Sequence, residues 1–93
     1  MRIETSAGKV FPILAMCEAL RNPNQVLIEL EDDRPLTQII LDFDGLASIR
    51  RYHSEKSTVY EMYEGFSRLV SIQRNTETGR VRLMLEKDVI TDA

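Results

Sequence analysis

Asp42 and Asp44, in the string Leu41-Asp42-Phe43-Asp44-Gly45-Leu46, have the types and spacing of a phosphoryl-transfer pair. Two carboxylates so placed could supply a nucleophile and a proton carrier, with Mg²⁺ steadying the charge. Such a site would need further carboxylates for the metal and a larger scaffold from the rest of the chain. Only 47 residues follow Leu46, too few for a doubly wound sheet, and they contain no Asp-Asp pair. The apolar residues before Asp42 read instead as the last turns of a helix stopped by Gly45. No enzyme activity is expected.

The string resembles the opening of the nucleophile loop in haloacid dehalogenase-like phosphatases, but Leu46 stands where that family has Thr or Val. Asp32 and Asp33, taken with Asp42 and Asp44, lack the spacing of a calcium loop and read as a solvated acidic rim. His53 is the sole histidine and Cys17 the sole cysteine, far apart in sequence. No metal set, nucleophile arrangement, cofactor or small-molecule substrate is predicted from them. His53 reads as an exposed turn residue.

Arg50, Arg51, Arg68, Arg74, Arg80 and Arg82 fall in predicted strands with Tyr52, Tyr60 and Tyr63. Such a face serves a protein partner, where Tyr and Arg are enriched, or single-stranded nucleic acid through charge and stacking. Glu55, Glu61, Glu64 and Glu77 dilute the field, and the net charge is −3. A protein partner is therefore favoured, with a small nucleic-acid-binding regulator as the alternative. Residues 58–63 are apolar on both faces, Tyr60 and Met62 against Val59 and Tyr63, so one face needs cover from the helix or a second subunit. Tyr60, Met62, Tyr63, Arg80 and Arg82 are the expected contact residues.

The elements that must position these groups are mostly strands. Residues 1–5 and 10–14 form a hairpin about Gly8, and 13–21 an extended or irregular connection closed by Asn22-Pro23-Asn24. Residues 26–30 form a strand. Leu36, Ile39, Ile40 and Phe43 then fall on one helical face, predicting a helix at about 34–43 with Asp33 as its cap and Pro35 in its first turn. These four should be core. Strands follow at 47–52 and 58–63, the first with Ile49 inward, joined by the polar turn 53–57. A second hairpin spans 68–74 and 79–86, where Val81, Leu83 and Leu85 alternate with polar neighbours. The fold class is α+β: a mainly antiparallel sheet, or a partly open small barrel, with one short helix.

Ninety-three residues fit one domain, 1–93, with the tail 87–93 expected loose. A chain this short buries only about 60–65% of its unfolded surface, so an oligomer would add to a thin core. Charge is uneven: residues 1–48 carry −4 and residues 49–93 carry +1. No apolar run approaches the ~20 residues of a membrane span, no signal peptide is visible, and one cysteine suits a reducing interior.

One further pattern covers residues 3 to 86. Thr5-x-x-Gly8-Lys9-x-Phe11, Leu30-x-Asp32-x-Arg34-Pro35-Leu36-x-x-Ile39, Asp42-Phe43-x-Gly45-Leu46 and Tyr63-x-Gly65-Phe66-Ser67-x-Leu69-x-x-Ile72-x-Arg74 occur in order. In these the chain resembles short proteins of unknown function from phages and prophages of Firmicutes. The resemblance carries no active-site residue. It implies a structural or assembly role in tail or head, with copies of itself or other phage structural proteins as partners, in the bacterial cytoplasm or the virion.

Overall fold

Gly8, at φ +85°, closes the first turn, where the Thr5 amide donates to the Lys9 carbonyl and the Gly8 amide to Thr5. It joins β1 (Arg2–Thr5) to β2 (Val10–Pro12). The chain then changes sheet within two residues. The Ile13 amide still donates to Met1 beside β1, whereas the Leu14 amide donates to Glu29 of the other sheet. These relations come from a computed structural model that describes residues 1–88.

Beyond that corner lie β3 (Ala15–Ala19) and β4 (Asn22–Glu31), an antiparallel pair in register from Ala15 with Glu29 to Glu18 with Val26. Of the expected extended or irregular connection, the extended form is the one found, as a paired strand. Ala15, Met16, Glu18 and Ala19 favour helix locally, but the ladder to β4 and burial of Met16 outweigh that propensity. β4 also starts four residues earlier than the predicted strand.

The helix α1 spans Leu36–Phe43, inside the predicted window. Its cap differs from expectation. Pro35 is the N-cap residue, its carbonyl accepts from the Gln38 and Ile39 amides, and no side chain caps the end. Asp33 is exposed, while Asp32 accepts from the Arg34 amide and folds the chain into the helix. At the other end Gly45 takes φ +77° and its amide donates to the carbonyl of Ser67, so the stop also ties the helix to a later segment of the chain, residues 65–67. Ile39 and Phe43 are fully buried, and Leu36 packs against the core; Ile40 is half-buried.

Four strands complete the chain: β5 (Ser48–Tyr52), β6 (Tyr60–Glu64), β7 (Arg68–Arg74) and β8 (Arg80–Glu86). They build two antiparallel sheets, ordered β2-β1-β5-β6 and β3-β4-β8-β7. The sheets do not close, so a partly open barrel gives way to two layers, with four free edges among the described residues. Ile3 and Ile49 from the first sheet meet Val26, Ile28, Leu30, Val81, Leu83 and Leu85 from the second, with Ile39 and Phe43 completing one cluster. Each such side chain contributes about 1.5–3 kcal/mol by leaving water. Of the expected loose tail, Lys87 and Asp88 are tied by their amides to Asn24 and Gly65, and residues 89–93 lie outside the described residues.

Candidate functional site

Asp42 sits in the last turn of α1 and is only 6% exposed. Both of its oxygens are occupied: Lys9 donates to Oδ1, and Arg34 Nη1 donates to Oδ2 at 2.7 Å. The same guanidinium grips Asp32, with Nη2 2.7 Å from Oδ2. Burial works against ionisation of Asp42, but the bonds from Lys9 and Arg34 outweigh it and hold the carboxyl below its ordinary value. Asp32 is lowered by its bonds to Arg34. The expected solvated rim is therefore half wrong, because Asp32 and Asp42 belong to an internal ion-pair network while Asp33 and Asp44 stay exposed. The LDFDGL string is a helix end with a glycine stop, and its first aspartate pins α1 to the β1–β2 hairpin.

A second polar cluster lies between the sheets. Arg51 follows Ile49 at strand spacing, so its side chain turns inward and is 14% exposed. It donates to the Met16 carbonyl on β3 at 2.9 Å and grips Glu61 with Nη2 at 2.8 Å from both oxygens. Its Nε is buried with no hydrogen-bond partner among the described residues. His53 lies in the exposed turn as expected, with Nε2 2.6 Å from Glu61. Arg51 first, then His53, pulls the Glu61 carboxyl down to about 2. Desolvation raises the Tyr63 hydroxyl, which lies 3.2 Å from Glu61.

The five predicted contact residues do not form one surface. Tyr63 points into the core at 8% exposure, edge-on to Phe66 at 5.9 Å between ring centres. Tyr60 and Met62 lie on the outer face of the first sheet, and Arg80 and Arg82 on the outer face of the second, both reaching towards Glu29. The predicted arginine cluster is likewise dispersed. Arg74 donates to the Asp32 and Arg34 carbonyls, Arg68 pairs with Glu86 at 2.6 Å, and Arg51 is inward.

On the outer face of the first sheet, strand register builds two rows: Pro12-Arg2-Tyr52-Tyr60 and Val10-Glu4-Arg50-Met62. The Arg50 guanidinium stands 4.9 Å from the Tyr60 ring centre, and Arg2 stands 4.1 Å from Tyr52. Arg2 also donates to the carbonyls of Ser54, Glu55 and Ser57, holding the turn 53–57 against this face. Val10, Tyr60 and Met62 are left 55%, 42% and 41% exposed, an apolar trio framed by Arg50, Glu4 and Glu64. Val10 was missed from sequence. Its signal was the hairpin register about Gly8, which sets it beside Glu4 on the same face as Arg50 and Met62.

Among the described residues, no helix is long and apolar enough to cross a membrane. Comparison of the chain with protein-family models, curated proteins and solved structures finds no match.

Proposed function

We propose that this chain is a non-catalytic assembly module that works by protein contact, joining a second copy of itself through the outer face of the sheet β2-β1-β5-β6. The observation that carries the reading is the composition of that face. Val10, Tyr60 and Met62 are exposed together, and the charges around them, Arg2, Arg50, Glu4 and Glu64, balance. A balanced pattern can match itself across a two-fold axis, as an isologous contact requires. The resemblance to phage and prophage proteins agrees with such a role, in the host cytoplasm or in the virion.

Size sets the expected strength. Four strands about 4.8 Å apart and five residues long cover roughly 300 Å² in projection. Even doubled for side-chain relief, that stays under the ~800 Å² per partner of a standard interface. The contact is therefore at the small end of specific interfaces, and a weak, concentration-dependent association is expected.

Light scattering across about a hundredfold concentration range tests it. The wild type should pass from monomer to dimer, and Met62→Lys, Tyr60→Ser should remain monomeric with its circular dichroism unchanged. A monomer at every concentration removes the self-association.

The alternative, a nucleic-acid-binding regulator, draws on the Arg50–Tyr60 and Arg2–Tyr52 stacks. Salt-dependent retention of single-stranded DNA or RNA, lost in Arg50→Ala, would favour it over self-association.

A further inference from the structure

The four free edges of the two sheets are not equally protected. β2 is three residues long and ends in Pro12. β3 has an irregular register at Glu18/Ala19, and its Met16 carbonyl is taken by Arg51. β7 breaks register between Leu69 and Ser71, and the end of α1 covers its start through Asp44 and Gly45. Short length, proline, bulges and covering elements are how proteins keep edges from pairing. Among the described residues β6 has none of these. Its five residues pair with β5 in unbroken register from Ser48 with Glu64 to Tyr52 with Tyr60, and no described strand pairs with its other side.

Beside that open edge, where the two sheets part, lies a hollow of about 560 Å³. Glu18, Glu61 and Glu64 line it with one cation, Lys87, and Tyr63 and Phe66 give it an apolar floor. Glu61 is matched by Arg51 and His53, and nothing among the described residues pairs with Glu18 or Glu64. The two unpaired carboxylates stand on β3 and β6, on opposite sides of the hollow.

We propose that the β6 edge accepts an extended, basic segment of another protein as an added strand, with its lysines or arginines meeting Glu18 and Glu64 and its apolar residues resting on Tyr63 and Phe66. Strand addition takes affinity from main-chain hydrogen bonds and specificity from alternate side chains, which suits a regular edge beside a lined hollow. A second copy of β6 is the wrong occupant. Pairing β6 with itself brings together two hollows that each set the unpaired carboxylates of Glu18 and Glu64 against Lys87 alone, so like charge is added and not offset. The self-contact proposed above uses the sheet's outer face and shares Met62 and Glu64 with this rim, so Glu18, which stands on the other sheet, is the residue that separates the two.

The probe is an acetylated, amidated peptide of alternating lysine and valine, long enough to match β6, titrated while amide spectra of the protein are recorded. Saturable shifts should centre on residues 60–64 and on Glu18. Glu18→Lys, an exposed change remote from the outer face of the first sheet, should weaken binding at least tenfold. The same peptide N-methylated at alternate amides should bind at least tenfold more weakly, because it keeps the charge and loses the donors. Equal binding of the N-methylated peptide would show simple charge attraction and overturn strand addition. Equal binding of a glutamate-valine peptide, or no binding of the lysine-valine peptide, would overturn the proposal outright.

Discussion

Arg51 on β5 donates to the main-chain carbonyl of Met16 on β3 across 2.9 Å, so one guanidinium spans from the first sheet to the edge of the second. The link is made where the sheets part, and Glu61 holds the guanidinium in place from β6. A charged side chain fixed between layers acts as a strut. Arg51→Met should lower the urea midpoint by the equivalent of about 1.5–3 kcal/mol, the usual worth of hydrogen bonds to a charged group. A change within experimental error would show that the strut carries no load.

The Glu61 carboxyl should titrate near 2, against an ordinary value of 4.5. Its folded value is depressed, so the stability it contributes is full above the ordinary value and disappears as pH falls through about 2. A carboxyl-detected NMR titration checks the midpoint. Arg51→Met should move it back towards the ordinary range, since Arg51 is the largest cause of the shift. A midpoint that ignores the substitution would place the cause elsewhere.

Asp42 gives a second acid-sensitive contact with the same sign. Its carboxyl is held below the ordinary value of 3.8 by Lys9 and Arg34 against the cost of burial. The stability from this network is therefore present above that value and is lost as pH falls through the lower folded one. Asp42→Asn should cost about 2 kcal/mol at neutral pH, as one partner of a half-buried network is removed. The difference from wild type should shrink below the ordinary carboxylate range, which denaturation at several pH values would read. A deficit independent of pH would assign the loss to shape alone.

The residues of this network show what the sequence could and could not convey. The stripe Leu36, Ile39, Ile40 and Phe43 marks the helix and most of its buried side, and the alternation of Val81, Leu83 and Leu85 marks β8 as a core strand. Both signals are local and periodic. Asp42 falls on the flank of the stripe, and its partner Lys9 lies 33 residues away in a hairpin, so its burial depends on a contact no local pattern encodes. Ala15–Ala19 could be read no further than extended or irregular for the same reason, because the β4 ladder decides its state. Arg51 was legible, since counting two residues from inward Ile49 places it inward. The contact residues divide along the same line: alternation along β6 separates Tyr63 from Tyr60 and Met62, but only sheet order shows that Arg80 and Arg82 lie on the other layer.

Tyr63 and Met62 should accordingly respond in opposite ways. Tyr63 is buried against Phe66 and Arg51, so Tyr63→Ala should cost about 3–4 kcal/mol through the cavity it leaves. Met62 is outward, and Met62→Lys should change stability by less than about 0.5 kcal/mol while suppressing self-association. Urea denaturation and light scattering on the two variants read both effects. Equal destabilisation by the two would contradict the burial pattern of β6.

Gly45 ends the helix at φ +77°, with open space where a Cβ would stand. A substitution there meets no neighbour, so its cost is backbone strain alone. Gly45→Ala should destabilise by about 1 kcal/mol, and Gly45→Asn by less, because asparagine tolerates the left-handed region better. Gly65 also has a positive φ, +79°, but a Cβ there would meet the Lys87 side chain at 3.5 Å, an ordinary contact distance. Gly65→Ala should therefore cost a similar amount. Thermal or urea unfolding of the three variants tests the comparison. If Gly45→Asn is as damaging as Gly45→Ala, the stop depends on more than the left-handed turn, and the bond from Gly45 to the Ser67 carbonyl becomes the next contact to test.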